Sequence, residues 1–251
     1  MRSLRLLPLF PLALAAQLPP PARVLTLQSQ TAHVQGIDTD GASLWVTAVD
    51  RVLRKGYLQI YSVEAGRLEK TVELQDGDRF HPGGIAADGA SVWIPVAEYK
   101  AQSSAWIQQR NRRTLELEFQ FPVADHIGCV AVTPEYIIGG NWDSRDFYVW
   151  DHKGKLLRKV ASDTGNAYQD VKIRDGLVVA SGVLADRKGA VDWLDPVTFR
   201  LLRRVPVGNT DKGEPLTREG MTLFRGQLWF LPEDGVSRLF TFDLPAIRKD
   251  R

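Results

Sequence analysis

The chain carries a single cysteine, Cys129, among 251 residues, so no disulfide can form within it and the fold must rest on packing. It also lacks a marked excess of either charge, with 32 Lys and Arg against 30 Asp and Glu. No basic run is present, which argues against nucleic acid or an anionic membrane surface as partner. Long apolar runs are missing beyond the first residues, and nothing later approaches the roughly 18 apolar residues that a transmembrane helix needs. No segment has the period of a long amphipathic helix, which excludes a bundle.

The N-terminus does contain an apolar stretch. Arg2 and Arg5 precede LLPLFPLALAA, and Ala13-Leu14-Ala15 supplies the small residues of a cleavage site. This predicts a signal peptide over residues 1–15, cut after Ala15, and a single exported domain over 16–251. The expected location is secreted or periplasmic, with no membrane insertion after cleavage. Removal of Arg2 and Arg5 leaves equal numbers of acidic and basic residues.

What the chain does have is repetition. HVQGIDTDGASLWV begins at His33 and HPGGIAADGASVWI begins at His81, 48 positions later. Weaker copies open at His126, Tyr168 and Arg218. A period of 40 to 50 residues points to a propeller or solenoid. Within the first unit four short runs, VQGID, SLWVTAV, YLQIYSV and RLEKTVEL, are separated by turn signals. Four strands in each of five units describe an all-β, five-bladed β-propeller. The fifth unit lacks a fourth strand after RLFTFDL, and ARVLTLQ at residues 22–28 has the pattern to supply it. The ring would then be closed by pairing the two ends of the chain. Trp45, Trp93 and Trp229 on second strands, and Trp106, Trp150 and Trp193 on third strands, are expected to pack between blades. Cys129 reads as a small buried hydrophobe, and His152, in the turn DHKG, as a solvated side chain.

In this architecture the loop before each first strand and the loop between the second and third strands share one face. His33, His81 and His126 occupy equivalent places at the mouths of the first three blades. Asp50, Glu98, Asp143, Asp186, Glu233 and Asp234 follow the second strands, with Arg51, Lys100, Arg145 and Arg187 close by. Gln35, Gln169, Asp170 and Glu219 come from the openings of first strands. Two readings compete: the repeated histidines brace each blade by bonding to a turn acid, or they line a site. Their replacement by Tyr168 and Arg218 in the last two units favours a site, because a brace would be wanted in all five.

The motifs HPGG at His81, PVAEY ending at Tyr99, DHIG at Asp125, NWDSRDFYVW at Asn141, YQD at Tyr168 and PED at Pro232 together resemble a family of secreted bacterial and fungal proteins known only as a domain of unknown function. The resemblance implies a propeller and marks His81, Glu98, Tyr99, His126, Trp142, Arg145, Gln169, Asp170, Glu233 and Asp234 as recurring positions; it implies no activity. VQGI at Val34 and REGMT at Arg218 are similar to segments of five-bladed glutaminyl cyclotransferases. Lactonase and gluconolactonase propellers are similar in placing a calcium ion on the axis.

One expectation is a hydrolase acting on a small ester, lactone or amide. His33, His81 and His126 would bind one divalent metal ion or exchange protons, Glu98 or Glu219 would act as base, and Arg145 would hold an anion. Three imidazoles plus a carboxylate would suit zinc, manganese or iron, and a carboxylate and amide set would suit calcium. Gln35, Tyr99, Asn141, Trp142, Gln169, Asp170, Glu233 and Asp234 would contact the ligand. The alternatives are a module that binds a peptide, sugar or cell-envelope partner without turnover, and a glutaminyl cyclotransferase-like enzyme. A monomer with a small-molecule or peptide ligand is expected in each case.

Overall fold

The computed structural model describes residues 18–244, so the expected signal peptide lies outside the described residues. Five antiparallel sheets form five blades. Blade 1 comprises His33–Thr39, Ser43–Asp50, Lys55–Ser62 and Leu68–Glu73. Blade 3 comprises Ile127–Val132, Ile137–Asn141, Asp146–Trp150 and Leu156–Ala161; blade 4 comprises Asn166–Arg174, Leu177–Leu184, Gly189–Leu194 and Leu201–Val207. In blade 2 the first strand is broken into Arg79–Pro82 and Ala86–Asp88, both paired with Ser91–Glu98, and is followed by Ala105–Asn111 and Leu117–Val123.

Blade 5 contributes Glu219–Phe224, Gln227–Pro232 and Arg238–Asp243, and its fourth strand is Arg23–Thr26. The pairing is antiparallel, with Arg23 opposite Thr241 and Thr26 opposite Arg238. The two ends of the chain thus close the ring, with Arg23–Thr26 as the outer strand of blade 5.

Each blade interface holds one apolar cluster, because a twisted sheet offers both faces to its neighbours. Trp229, Leu231 and Leu239 of blade 5 pack on Val34, Ile37 and Val46 of blade 1, for example. Five of the six repeating tryptophans are buried in this way. Trp106 is only half-buried, under the guanidinium of Arg79. His152 is not merely solvated: it is half-buried, 2.9 Å from the Thr133 carbonyl and edge-on to Trp93.

The glycines of the repeat have a packing reason. A Cβ on Gly36 would lie 2.4 Å from Gly84 Cα, and one on Gly83 would lie 2.0 Å from the Gly128 carbonyl oxygen. Inner strands of adjacent blades therefore touch through their backbones. Across the axis below them, the Asp170 carboxylate of blade 4 accepts the Ile37 N–H of blade 1 and the Met221 N–H of blade 5. Its ion-pair partner Lys172 donates to the Ile85 carbonyl of blade 2. Burial raises the Asp170 carboxyl and Lys172 with the N–H donors pulls it back. Every partner is a donor, so the ionised form is the one this arrangement holds.

Candidate functional site

The first strands of blades 1 to 4 each slip register close to the same level: between Val34 and Gly36, Arg79 and His81, Ile127 and Cys129, and Tyr168 and Asp170. A bulge inserts an extra residue and re-aims its side chain. The residues set free are Gln35, Phe80, Gly128 and Gln169. Gln35, Gly128 and Gln169 line a pocket of about 110 Å³ together with His81, His126, Asn141 and Trp142. Blade 5 has no bulge there; instead Glu219 adopts a left-handed backbone, with φ of 94°. For a residue with a side chain that conformation is costly and clusters at functional sites.

The three repeated histidines do not converge on one point. His81 and His126 are neighbours, with ring centres 5.2 Å apart. Tyr99 lies 4.2 Å from His81, and Trp142 stands edge-on to His126 at 4.6 Å. Gln35 donates its amide to the Val34 carbonyl, so its oxygen faces His81 Nε2 at 2.7 Å and that nitrogen carries the proton. The Lys100 carbonyl likewise fixes the proton of His126 on Nδ1, at 3.0 Å, with Ser103 alongside. Burial lowers the pKa of both rings, and for His81 the nearby His126, His33 and Arg51 add to it. Both rings are neutral at neutral pH. His81 Nδ1 is buried without a partner.

His33 belongs to a second group, with Glu219 and Glu233. One ligating atom of each lies within 4.8 Å of the others. His33 Nδ1 approaches Glu233 Oε1 to 2.8 Å, yet off the N–H direction, so the contact is a close polar one and not an aligned hydrogen bond. Arg218 stands 3.6 Å from Glu233 and 4.0 Å from Glu219. Burial, followed by the charge of Glu233, pushes the Glu219 carboxyl up to about 8. The contact with His33 holds Glu233 below the ordinary carboxylate range, with Arg218 and Arg51 adding to it. Two carboxyls side by side are thus in different protonation states. These three residues could hold a divalent cation, whereas the expected set of His33, His81 and His126 is divided between two groups. Arg218, within 4.0 Å of both carboxylates, opposes a cation there.

Several expected residues lie elsewhere. Arg145 is exposed beside Asp143, because the turn Trp142–Ser144 has left-handed backbone at Asp143 and Ser144 and carries the chain outward. Asp170 is wholly buried beneath the pocket with its oxygens occupied, and Asp234 is buried against Arg238. Glu98 is tied to Lys100 and Ser104, which lowers its pKa, so it is not a base raised by burial. Asn141 bonds to Asp125 and to the Asp146 N–H while lining the pocket. The Tyr168 hydroxyl turns away to Asp192. Cys129 is buried, with its thiol pushed up to about 12 by burial, as befits a packing residue. Arg51 and Arg218 were not among the expected site residues. Their signal is positional only: one follows the second strand of blade 1, and the other takes the place of histidine in blade 5.

Five four-stranded blades closed by the N-terminal strand, with a polar pocket at the mouths of the inner strands, define a five-bladed β-propeller. Within that class, residues 53–175 match the model of a Family of unknown function (DUF6454). No curated protein matches the chain. Among solved structures, the chain is similar to the glutaminyl cyclase of Myxococcus xanthus, with a TM-score of 0.67 and 13% identity over 88% of this chain and 94% of that one. The Pan2 WD40 domain of Neurospora crassa matches with a TM-score of 0.50 and 12% identity, over 85% of this chain and 66% of that one. Hydrazine synthase of Kuenenia stuttgartiensis matches with a TM-score of 0.50 and 13% identity, over 81% and 56% respectively. At these identities the likeness is one of fold. No helix among the described residues is long and apolar enough to cross a membrane.

Proposed function

We propose that the group of His33, Glu219 and Glu233, together with the pocket beside it, forms an acid–base site for addition to the carbonyl of a small ester, lactone or amide. The observation that carries this reading is the pair Glu219 and Glu233: one carboxyl is buried on strained backbone and the other is held ionised by His33 and Arg218. Neighbouring carboxyls whose environments separate their protonation states are the arrangement that acid–base chemistry requires. Glu233, with His33 beside it, takes the proton of the attacking water as its oxygen bonds to the carbonyl carbon. Glu219 gives its proton to the leaving oxygen or nitrogen as that bond breaks. The proton gained by Glu233 then returns to Glu219, and both residues are restored. Gln35, Gln169 and the neutral imidazoles of His81 and His126 would orient the substrate.

The structural likeness to a glutaminyl cyclase favours one variant weakly, in which the attacking group is an amine of the substrate itself and not water. The test is a panel of nitrophenyl esters, γ- and δ-lactones and a glutaminyl dipeptide, with parent protein and Glu219→Gln. Turnover that falls about 100-fold or more in the variant and is indifferent to chelator is the expected result. Loss with chelator and recovery with a divalent cation would instead make His33, Glu219 and Glu233 metal ligands. Saturable binding of panel members without turnover would identify a binding module.

A further inference from the structure

Beside the pocket, on the same face, a cleft of about 480 Å³ opens between the loops of blades 1 and 2, lined by Arg51, Arg54, Phe80, Glu98, Tyr99 and Lys100 among others. Tyr99 is the wall between the two, touching His81 on one side and lining the cleft on the other. Phe80 and Tyr99 are stacked, with Arg54 over the first ring and Arg51 over the second.

Charge in this region is paired with one exception. Arg54 pairs with Asp78, Lys100 with Glu98, and Arg218 with Glu214 and Glu233. Asp50, next to Arg51 in sequence, spends a carboxylate oxygen on the N–H groups of Val52 and Leu53 in its own turn. Arg51 has no ion-pair partner among the described residues. It is exposed, and its charge acts on His81 in the pocket and on Glu219, Glu233 and Tyr99 beside it. A guanidinium left free over an aromatic ring, at the junction of a reaction pocket and an open cleft, is a ready anchor for a carboxylate, which it can hold through two parallel N–H donors.

We infer that the ligand carries a carboxylate, held by Arg51, next to the group that enters the pocket, with the rest of the molecule lying in the cleft over Phe80 and Tyr99. This rests on the pocket being the reaction site, and it narrows the substrate class to acids. A single negative charge fits better than a doubly charged phosphate, because Glu98 and Glu233 flank the position.

Binding, read without turnover, separates this inference from the acid–base reading. Isothermal titration of the full chain with butyrate and benzoate, beside butyramide and benzamide, should show at least one acid binding about tenfold or more tighter than its amide. Arg51→Met and Arg51→Gln should abolish that preference, and Arg51→Lys should restore part of it. Arg51 is exposed, so these variants are not expected to unfold the protein, and their melting temperatures check this. Equal affinity of acids and amides, a preference that survives both neutral variants, or no binding of either acid at millimolar concentration would overturn the inference. An inert protein that still prefers acids through Arg51 would overturn only the acid–base reading.

Discussion

Glu219 concentrates the tension of the site in one residue. Its backbone is left-handed, its carboxyl is buried, and its neighbour Glu233 is ionised. A carboxyl whose folded pKa is raised contributes stability fully below its unfolded pKa, near 4.5, and that contribution is lost as pH rises toward about 8. Glu219→Gln, which cannot ionise, should therefore melt higher than the parent at about pH 8.5, by roughly 3 °C for each kcal/mol relieved, and close to it at about pH 5. Scanning calorimetry at the two pH values checks this; an equal difference at both would show that Glu219 does not ionise across the interval. The buried imidazoles of His81 and His126 act in the other direction, with stability lost as pH falls through their depressed pKa values, and they cancel in the comparison. The histidine repeat has a simple structural meaning at this scale. Each ring reaches to the preceding blade: His33 to Glu233, His81 to Gln35, and His126 to the Lys100 carbonyl. The histidines therefore do brace, as one reading of the repeat expected, but they join neighbouring blades and do not stiffen each one internally.

At the scale of the strand, the most exposed commitment is the seam. Arg23–Thr26 supplies the fourth strand of blade 5, and Leu27 inserts into the apolar cluster between blades 5 and 1. Deletion through residue 29 should lower the melting temperature and broaden the transition, since the last blade would lose its outer strand and a buried leucine. A truncated protein that unfolds as sharply and as hot as the parent would show the seam to be dispensable. This pairing was legible in sequence because alternation in ARVLTLQ matches LEKTVEL, and both precede a histidine at the mouth of an inner strand. The bulges were not legible. Alternation tells which side of a sheet a residue faces, and a one-residue slip reverses that for everything beyond it. Hence Gln169 and Asp170, adjacent in the motif YQD, were both expected to touch ligand. The slip between Tyr168 and Asp170 leaves Gln169 at the pocket and Asp170 sealed beneath it. Arg145 was misplaced for a related reason, since two left-handed residues in the preceding turn leave no mark in a run such as NWDSR.

At the scale of the whole molecule, one buried ion pair ties four blades together. Asp170 and Lys172 of blade 4 reach blades 1, 2 and 5 through backbone groups. Asp170→Asn should cost on the order of 3 to 5 kcal/mol, because it leaves the Lys172 ammonium buried without its counter-charge. Removing both charges, as in Asp170→Asn with Lys172→Met, should recover part of that loss in urea denaturation. A single variant as stable as the parent would mean that the pair is ornamental to the ring. The number of blades and the closed ring followed from the repeat alone. The hub did not, because contacts across the axis join residues from different repeats.

Closure through the chain ends also sets an order in time. Arg23 cannot meet Thr241 until almost the whole chain has been made, and among the described residues no other pairing of strands spans so many positions. Blades built from neighbouring segments can form early, but the ring stays open until the last of them arrives, and contacts between distant parts of a chain are slow to form. Refolding should therefore show a late kinetic phase confined to the fifth blade, during which Val24 and the outer edge of Arg238–Asp243 stand uncovered and vulnerable to pairing with another copy.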